Sequence, residues 1–142
     1  PATAAALGVT LSASGSASAS SSTAIISSDH RLLSKLVYAE ARGEPYKGMV
    51  AVAAVVLNRV RSSSFPNTIS GVIYQKGAFS CVSNGSINNT PNNQSIRAAL
   101  DALNGWDPTG GCLYYYNPKL TADEWIRTRT VQTVIGNHYF AR

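Results

Sequence analysis

The chain has 142 residues, 44% of them hydrophobic and only 13% charged, with a net charge of +5. That is the length of one domain, and the balance excludes a collagen-like, wholly disordered or disulfide-dense scaffold. The longest apolar run, Met49 to Leu57, falls short of the ~20 residues that a membrane-spanning helix needs, so membrane insertion is not expected. In chain order, residues 1–28 carry no charge and are mostly Ser and Ala. Such a stretch buries too little apolar surface to offset the entropy of ordering it, so 1–28 reads as a disordered linker, the edge of a longer chain. No positively charged leader segment precedes an apolar run there.

From Asp29 onward the pattern changes. Asp29 can cap a helix that Gly43 and Pro45 stop, predicting a helix from Asp29 to Arg42. Leu32, Leu33, Leu36 and Val37 form its apolar stripe, and the next positions of that stripe are Glu40 and Ala41. Tyr46 to Arg61 reads as a second helix, apolar nearly all round and therefore central. Ile69 to Gln75 suggests a short third helix, Asn84 to Asn93 a polar loop, and Gln94 to Leu103 a further helix ended by Gly105. Trp106 to Gly111 is a turn. Leu113 to Tyr116 favours a strand by its aromatic content. Asn117-Pro118 breaks it, and the remainder reads as short and irregular. The expected architecture is mostly helical with a small sheet, an α+β domain over residues 29–142.

Among seven acidic residues, most have a structural use in this reading. Asp29 caps, Asp101 lies on a polar helix face, Asp107 precedes Pro108 in a turn, and Asp123 with Glu124 opens a helical turn. Glu44, between Gly43 and Pro45, is expected to be exposed. Glu40 stands apart, because a carboxyl on an apolar helix face is costly to ionise and suits a general acid. The competing reading pairs it with Arg42, Arg127 or Arg129.

Aromatic residues crowd the second half: Phe79, Trp106, Tyr114, Tyr115, Tyr116, Trp125 and Tyr139. They suit the apolar faces of sugars, or simply a core. The positive residues are spread thinly, with Arg59/Arg61 and Arg127/Arg129 the close pairs, so no nucleic-acid patch is expected. The surplus charge favours an anionic polymer. Cys81 and Cys112 have no metal-ligand spacing, so no metal and no cofactor are expected. They are compatible with one disulfide or with two buried thiols. A thiol nucleophile using His138 has only the Cys-before-His order behind it, and His30, beside the linker, reads as solvated.

Taken together, these segments resemble the SleB/CwlJ-type cell-wall hydrolase family. The resemblance runs through Tyr38-Ala39-Glu40-Ala41-Arg42-Gly43-Glu44-Pro45 to Asn58-Arg59-Val60, then Phe65-Pro66-Asn67-Thr68-Ile69, Ala78-Phe79-Ser80, Asn104-Gly105-Trp106-Asp107-Pro108, Leu113-Tyr114-Tyr115-Tyr116-Asn117-Pro118 and Trp125-Ile126. It covers residues 31–142 in order. It implies a small lysozyme-like, lytic-transglycosylase-like α+β domain acting on peptidoglycan glycan strands of spore cortex or cell wall, exported and monomeric. It implies Glu40 as the catalytic acid, releasing 1,6-anhydromuramyl ends. Phe79, Ser80, Tyr115, Tyr116, Asn117 and Trp125 become the candidate substrate-binding residues. The two cysteines depart from the family signature and follow its motifs, which makes Cys81–Cys112 a candidate disulfide. A hydrolytic muramidase of the vegetative wall and a non-catalytic glycan-binding module are the alternatives.

Overall fold

A computed structural model describes residues 27–142; the expected linker lies, up to residue 26, outside the described residues. The first helix, α1, spans Ser28–Ala41. Its cap is Ser27 and not Asp29: the Ser27 hydroxyl accepts from the His30 N–H at 3.0 Å, and Asp29 sits in the first turn, where the helix dipole favours it. The helix therefore begins one residue before the expected Asp29. His30 also departs from expectation. It is buried, and its Nε2–H donates to the Ile96 carbonyl at 2.8 Å, tying α1 to a later helix.

Gly43, at φ +88°, turns the chain away from α1. Helix α2, Tyr46–Arg61, is buried along almost its whole length. It packs against α1 on one side and α5, Asn93–Leu103, on the other. Asn92 caps α5, its Oδ1 accepting from the Ser95 N–H at 2.9 Å. Between them lie two short helices, α3 at Ile69–Ile73 and α4 at Ser80–Ser83, and a single 3-10 turn at Ser86–Asn88 inside the expected polar loop. Four-residue α4 has too little periodicity to be read from sequence.

The sheet is larger than expected. Strand β1 is Tyr114–Tyr116, and the segment expected to be irregular contains β2, Val131–Ile135, and β3, His138–Ala141. The strand order is β1-β3-β2, antiparallel throughout, with Tyr115 opposite Phe140 and Ile135 opposite His138. Gly136 at φ +60° and Asn137 form the tight turn between β2 and β3. The signal was present, since Gly-Asn between two β-branched and aromatic runs is a hairpin pattern. Phe140 and Ile135 join the helical core, fastening sheet to α2.

Candidate active site

The seam between helices and sheet holds an open cleft of about 360 Å³. The C-terminal turn of α1 brings Glu40, the start of α4 brings Phe79 and Ser80, β1 brings Tyr115 and Tyr116, the following turn brings Asn117, and β3 brings His138. All of the candidate residues except Trp125 line this cleft. Trp125 lies on an adjoining depression that shares Tyr115 and Tyr116 as walls.

Glu40 is half-buried, and its Oε1 accepts a hydrogen bond from the Tyr115 hydroxyl. Burial and the neighbouring Glu40 charge push the Tyr115 phenol well above its ordinary range, so it keeps its proton and remains a donor. The arginines considered as partners of Glu40 are engaged elsewhere. Arg42 donates to the Tyr38 hydroxyl at 3.3 Å, Arg127 to the Pro118 and Thr121 carbonyls at 2.8 and 3.0 Å, and Arg129 to the Arg142 carbonyl at 3.0 Å.

Glu44 is half-buried, not exposed. It accepts from the Asn137 backbone N–H and side-chain amide, both at 3.0 Å, clamping the hairpin turn to the start of α2. Burial alone would raise its carboxyl; the Asn137 donors and nearby His138 outweigh that and hold it below the usual range. Asp107 serves structure as well. It accepts from Asn58, from the Thr109 N–H and hydroxyl, and from the Gly111 N–H, and so builds the turn before β1. Among the described residues, Glu40 is the one carboxylate on the cleft wall.

The candidate disulfide is corrected: both cysteines are free and buried. They belong to different places. The Cys112 thiol donates to the Thr109 carbonyl at 3.3 Å, in the Asp107 turn. Cys81, on α4, faces Glu40; burial first, then the Glu40 charge and hydrogen bond, push its thiol up to about 12. A thiol held there is not a nucleophile near neutral pH, which removes the Cys–His reading.

Two further residues reach the cleft: His138, weighed in the sequence only as a partner for a thiol, and Arg59, which the sequence reading missed as a site residue. His138 is buried, packed edge-on against Tyr115 with centroids 5.0 Å apart, and its Nδ1 has no hydrogen-bond partner. Burial lowers its imidazole below the ordinary value despite Glu44 and Glu40 nearby, so the ring is neutral at pH 7. Arg59 reaches from α2 to the cleft, its Nε donating to the Leu113 carbonyl at 2.7 Å. Nothing local marks either; only folding brings them beside Glu40.

A profile of the cell wall hydrolase family matches residues 43–141. The chain belongs to this family. Over 114 residues it is 55% identical to the spore cortex-lytic enzyme of Bacillus cereus, an alignment covering 80% of this chain and 44% of that one. The cell wall hydrolase CwlJ of Bacillus subtilis is 35% identical over 100 residues, 66% of this chain and 70% of the relative. The chain thus spans less than half the length of the spore cortex-lytic enzyme it matches. Among solved structures, the catalytic domain of the germination-specific lytic transglycosylase SleB from Bacillus anthracis superposes with a TM-score of 0.77 at 54% identity, covering 80% of this chain and 93% of that one. The small α+β, lysozyme-like architecture of this family member is the one those catalytic domains share.

Proposed function

We propose that residues 29–142 form a catalytic unit that cleaves the glycan strands of peptidoglycan as a lytic transglycosylase, with spore cortex as its substrate. One observation carries the reading: a single carboxylate, oriented by a half-buried tyrosine, stands on the wall of a sugar-sized cleft. Hydrolysis by the usual route needs a second carboxylate roughly 5–10 Å from the first, as nucleophile or base. Asp107 and Glu44 are committed to turns, and among the described residues no carboxylate but Glu40 lines the cleft.

A lone acid suffices when the substrate brings its own nucleophile. Glu40 gives its proton to the oxygen that links N-acetylmuramic acid to N-acetylglucosamine, and the C1–O bond breaks. The C6 hydroxyl of the same muramic acid attacks C1, its proton passing to the Glu40 carboxylate. The result is a 1,6-anhydro end, with the acid restored. Holding the attacking group within the same sugar removes the entropic cost of capturing it. Tyr115 fixes Oε1 and so orients the carboxyl on the cleft wall. Asn117 is held by its Oδ1, which accepts from the Lys119 N–H at 3.0 Å, and its NH₂ serves as a donor to sugar hydroxyls. Ser80, exposed at the rim, adds another hydrogen-bonding group, and Tyr116 adds a wall. Phe79 is 7% exposed and supports the cleft floor from the core, whereas Trp125 is 51% exposed and offers a sugar-stacking face. The relatives' printed roles in cortex lysis support the substrate, and the position of that substrate supports export.

The test is Glu40→Gln on purified cortex fragments. The isostere keeps the melting transition and lowers product formation by about a thousand-fold, the scale of a lost general acid. Mass spectrometry of wild-type products shows glycan ends lighter by one water than reducing ends. Undiminished activity of the variant, or reducing ends as the only product, overturns the proposal.

A further inference from the structure

The Glu40 cleft continues into a second depression of about 320 Å³, with Arg59, Tyr115 and Tyr116 forming walls of both. The guanidinium of Arg59 sits at this junction. Its carbon lies 4.9 Å from the Phe65 ring, 5.6 Å from Phe79 and 5.4 Å from Tyr114. Covering a charge costs free energy unless an opposite charge answers it, and burial does lower this group from its ordinary value. Among the described residues no carboxylate pairs with it. Asp123, the carboxylate on the same depression, has its Oδ1 turned to the Trp125 and Ile126 N–H groups at 2.9 and 3.3 Å.

Two further cations lie on or beside it. Lys76 lines the depression. Arg129 lies 5.7 Å from the Tyr114 ring and 5.2 Å from Trp125, the half-exposed ring at the edge. The aromatic rings hold the Arg59 fork in one orientation and keep water from its faces, which strengthens its pull on an incoming anion. A planar fork whose Nε is already bonded presents its two NH₂ groups in the geometry that a carboxylate matches.

We propose that this depression is a binding site for a carboxylate carried by the wall polymer beside the bond being cut, with Arg59 as its principal contact and Lys76 as a second. This rests on the peptidoglycan reading, whose substrate offers two carboxylate sources: the lactyl group of a muramic acid that bears no peptide, and the peptide itself where one is amide-linked to that group. Recognition here sets which stretch of strand is cleaved, separately from the acid chemistry of Glu40.

The experiment compares kcat/KM of the whole chain on matched solubilised strands, untreated or with their carboxylates converted to neutral methylamides. Wild type prefers untreated strands by about ten-fold, which corresponds to about 1.4 kcal/mol. Arg59→Gln brings that preference close to one, and Lys76→Gln, at an exposed position that leaves the core intact, reduces it two- to three-fold. Strands stripped of peptide at the lactyl amide, a cleavage that frees the lactyl carboxylate, separate the two sources: a preference for untreated over methylamidated stripped strands assigns the lactyl group, and one found only with peptide attached assigns the stem. Equal rates on both charge states in wild type, or an Arg59→Gln loss that is the same on both, overturns the site. If Arg59→Gln does not fold, the wild-type preference together with its reduction in Lys76→Gln decides. Failure of wild type to release anhydro ends from untreated strands sinks the peptidoglycan reading itself, a different result from cleavage that ignores charge.

Discussion

From Val50 to Val56 every side chain of α2 is buried, whereas β2 turns Val131, Gln132 and Val134 to solvent, Val134 being 54% exposed. The helical half is held by apolar burial along long periodic segments. The sheet half is a small three-stranded patch whose aromatic side chains pack on one another and on a few arginines. The cleft lies where the two meet. The helices supply the Glu40 carboxylate on a rigid support, and the sheet supplies Tyr115, which orients it. Away from Glu40, changes in the first half should therefore act through stability, and changes to the cleft face of the second through activity at nearly constant stability.

The sharpest way to break this contrast lies one turn from the acid. Leu36 is fully buried on the face of α1 that continues to Glu40. Leu36→Ala leaves a cavity, costs about 2–5 kcal/mol and lowers the thermal midpoint, read by calorimetry. The molecules that remain folded keep their kcat, because the carboxyl itself is untouched. Tyr115→Phe is the converse. It removes the donor to Glu40 while keeping the ring against His138 and Phe140. It lowers kcat about ten- to a hundred-fold, as expected for a lost hydrogen bond to a charged group worth roughly 1.5–3 kcal/mol, with KM nearly unchanged. A large drop in melting temperature with kcat preserved would reverse the contrast.

A smaller effect tests the turn that joins the halves. Burial would raise the Asp107 carboxyl, but donors from Thr109, Asn58 and Gly111 prevail and hold it below its ordinary 3.8. A group with a depressed folded pKa binds its proton less readily in the folded state. Its stabilisation is complete above 3.8 and is lost as the pH falls through the lower folded value. Asp107→Asn is therefore less stable than wild type at neutral pH by about 1–2 kcal/mol. In chemical melts at stepped pH the gap closes as the solution is taken below 3.8. The smallest effect is Val134→Thr on the open face of β2, within about 0.5 kcal/mol of wild type by the same melts. A larger loss would show that this face is covered when the protein works.

The helical half was legible because its signals are local and repeated. The stripe of Leu32, Leu33, Leu36 and Val37, the unbroken apolar run of α2 and the stop at Gly43 place α1 and α2 within a residue or two of where they lie. The same stripe singled out Glu40, since a carboxyl in phase with leucines has few structural uses. The sheet was half legible. Three consecutive tyrosines announced β1, but β2 and β3 went unread despite the Gly136-Asn137 turn, because strands of four or five residues carry little periodicity of their own.

What the sequence determined by itself was the set of helices, the carboxylate at their edge and the family pattern that runs through both. Tertiary structure alone decided which partners that acid has. Tyr115 lies far along the chain from Glu40, His138 and Arg59 reach the cleft from different elements, and the two cysteines end in separate surroundings as free thiols. The physical reason is the range of the forces involved. Helix periodicity and capping act within a few residues, whereas hydrogen bonds, desolvation and ring packing depend on which distant segments burial of the core brings together.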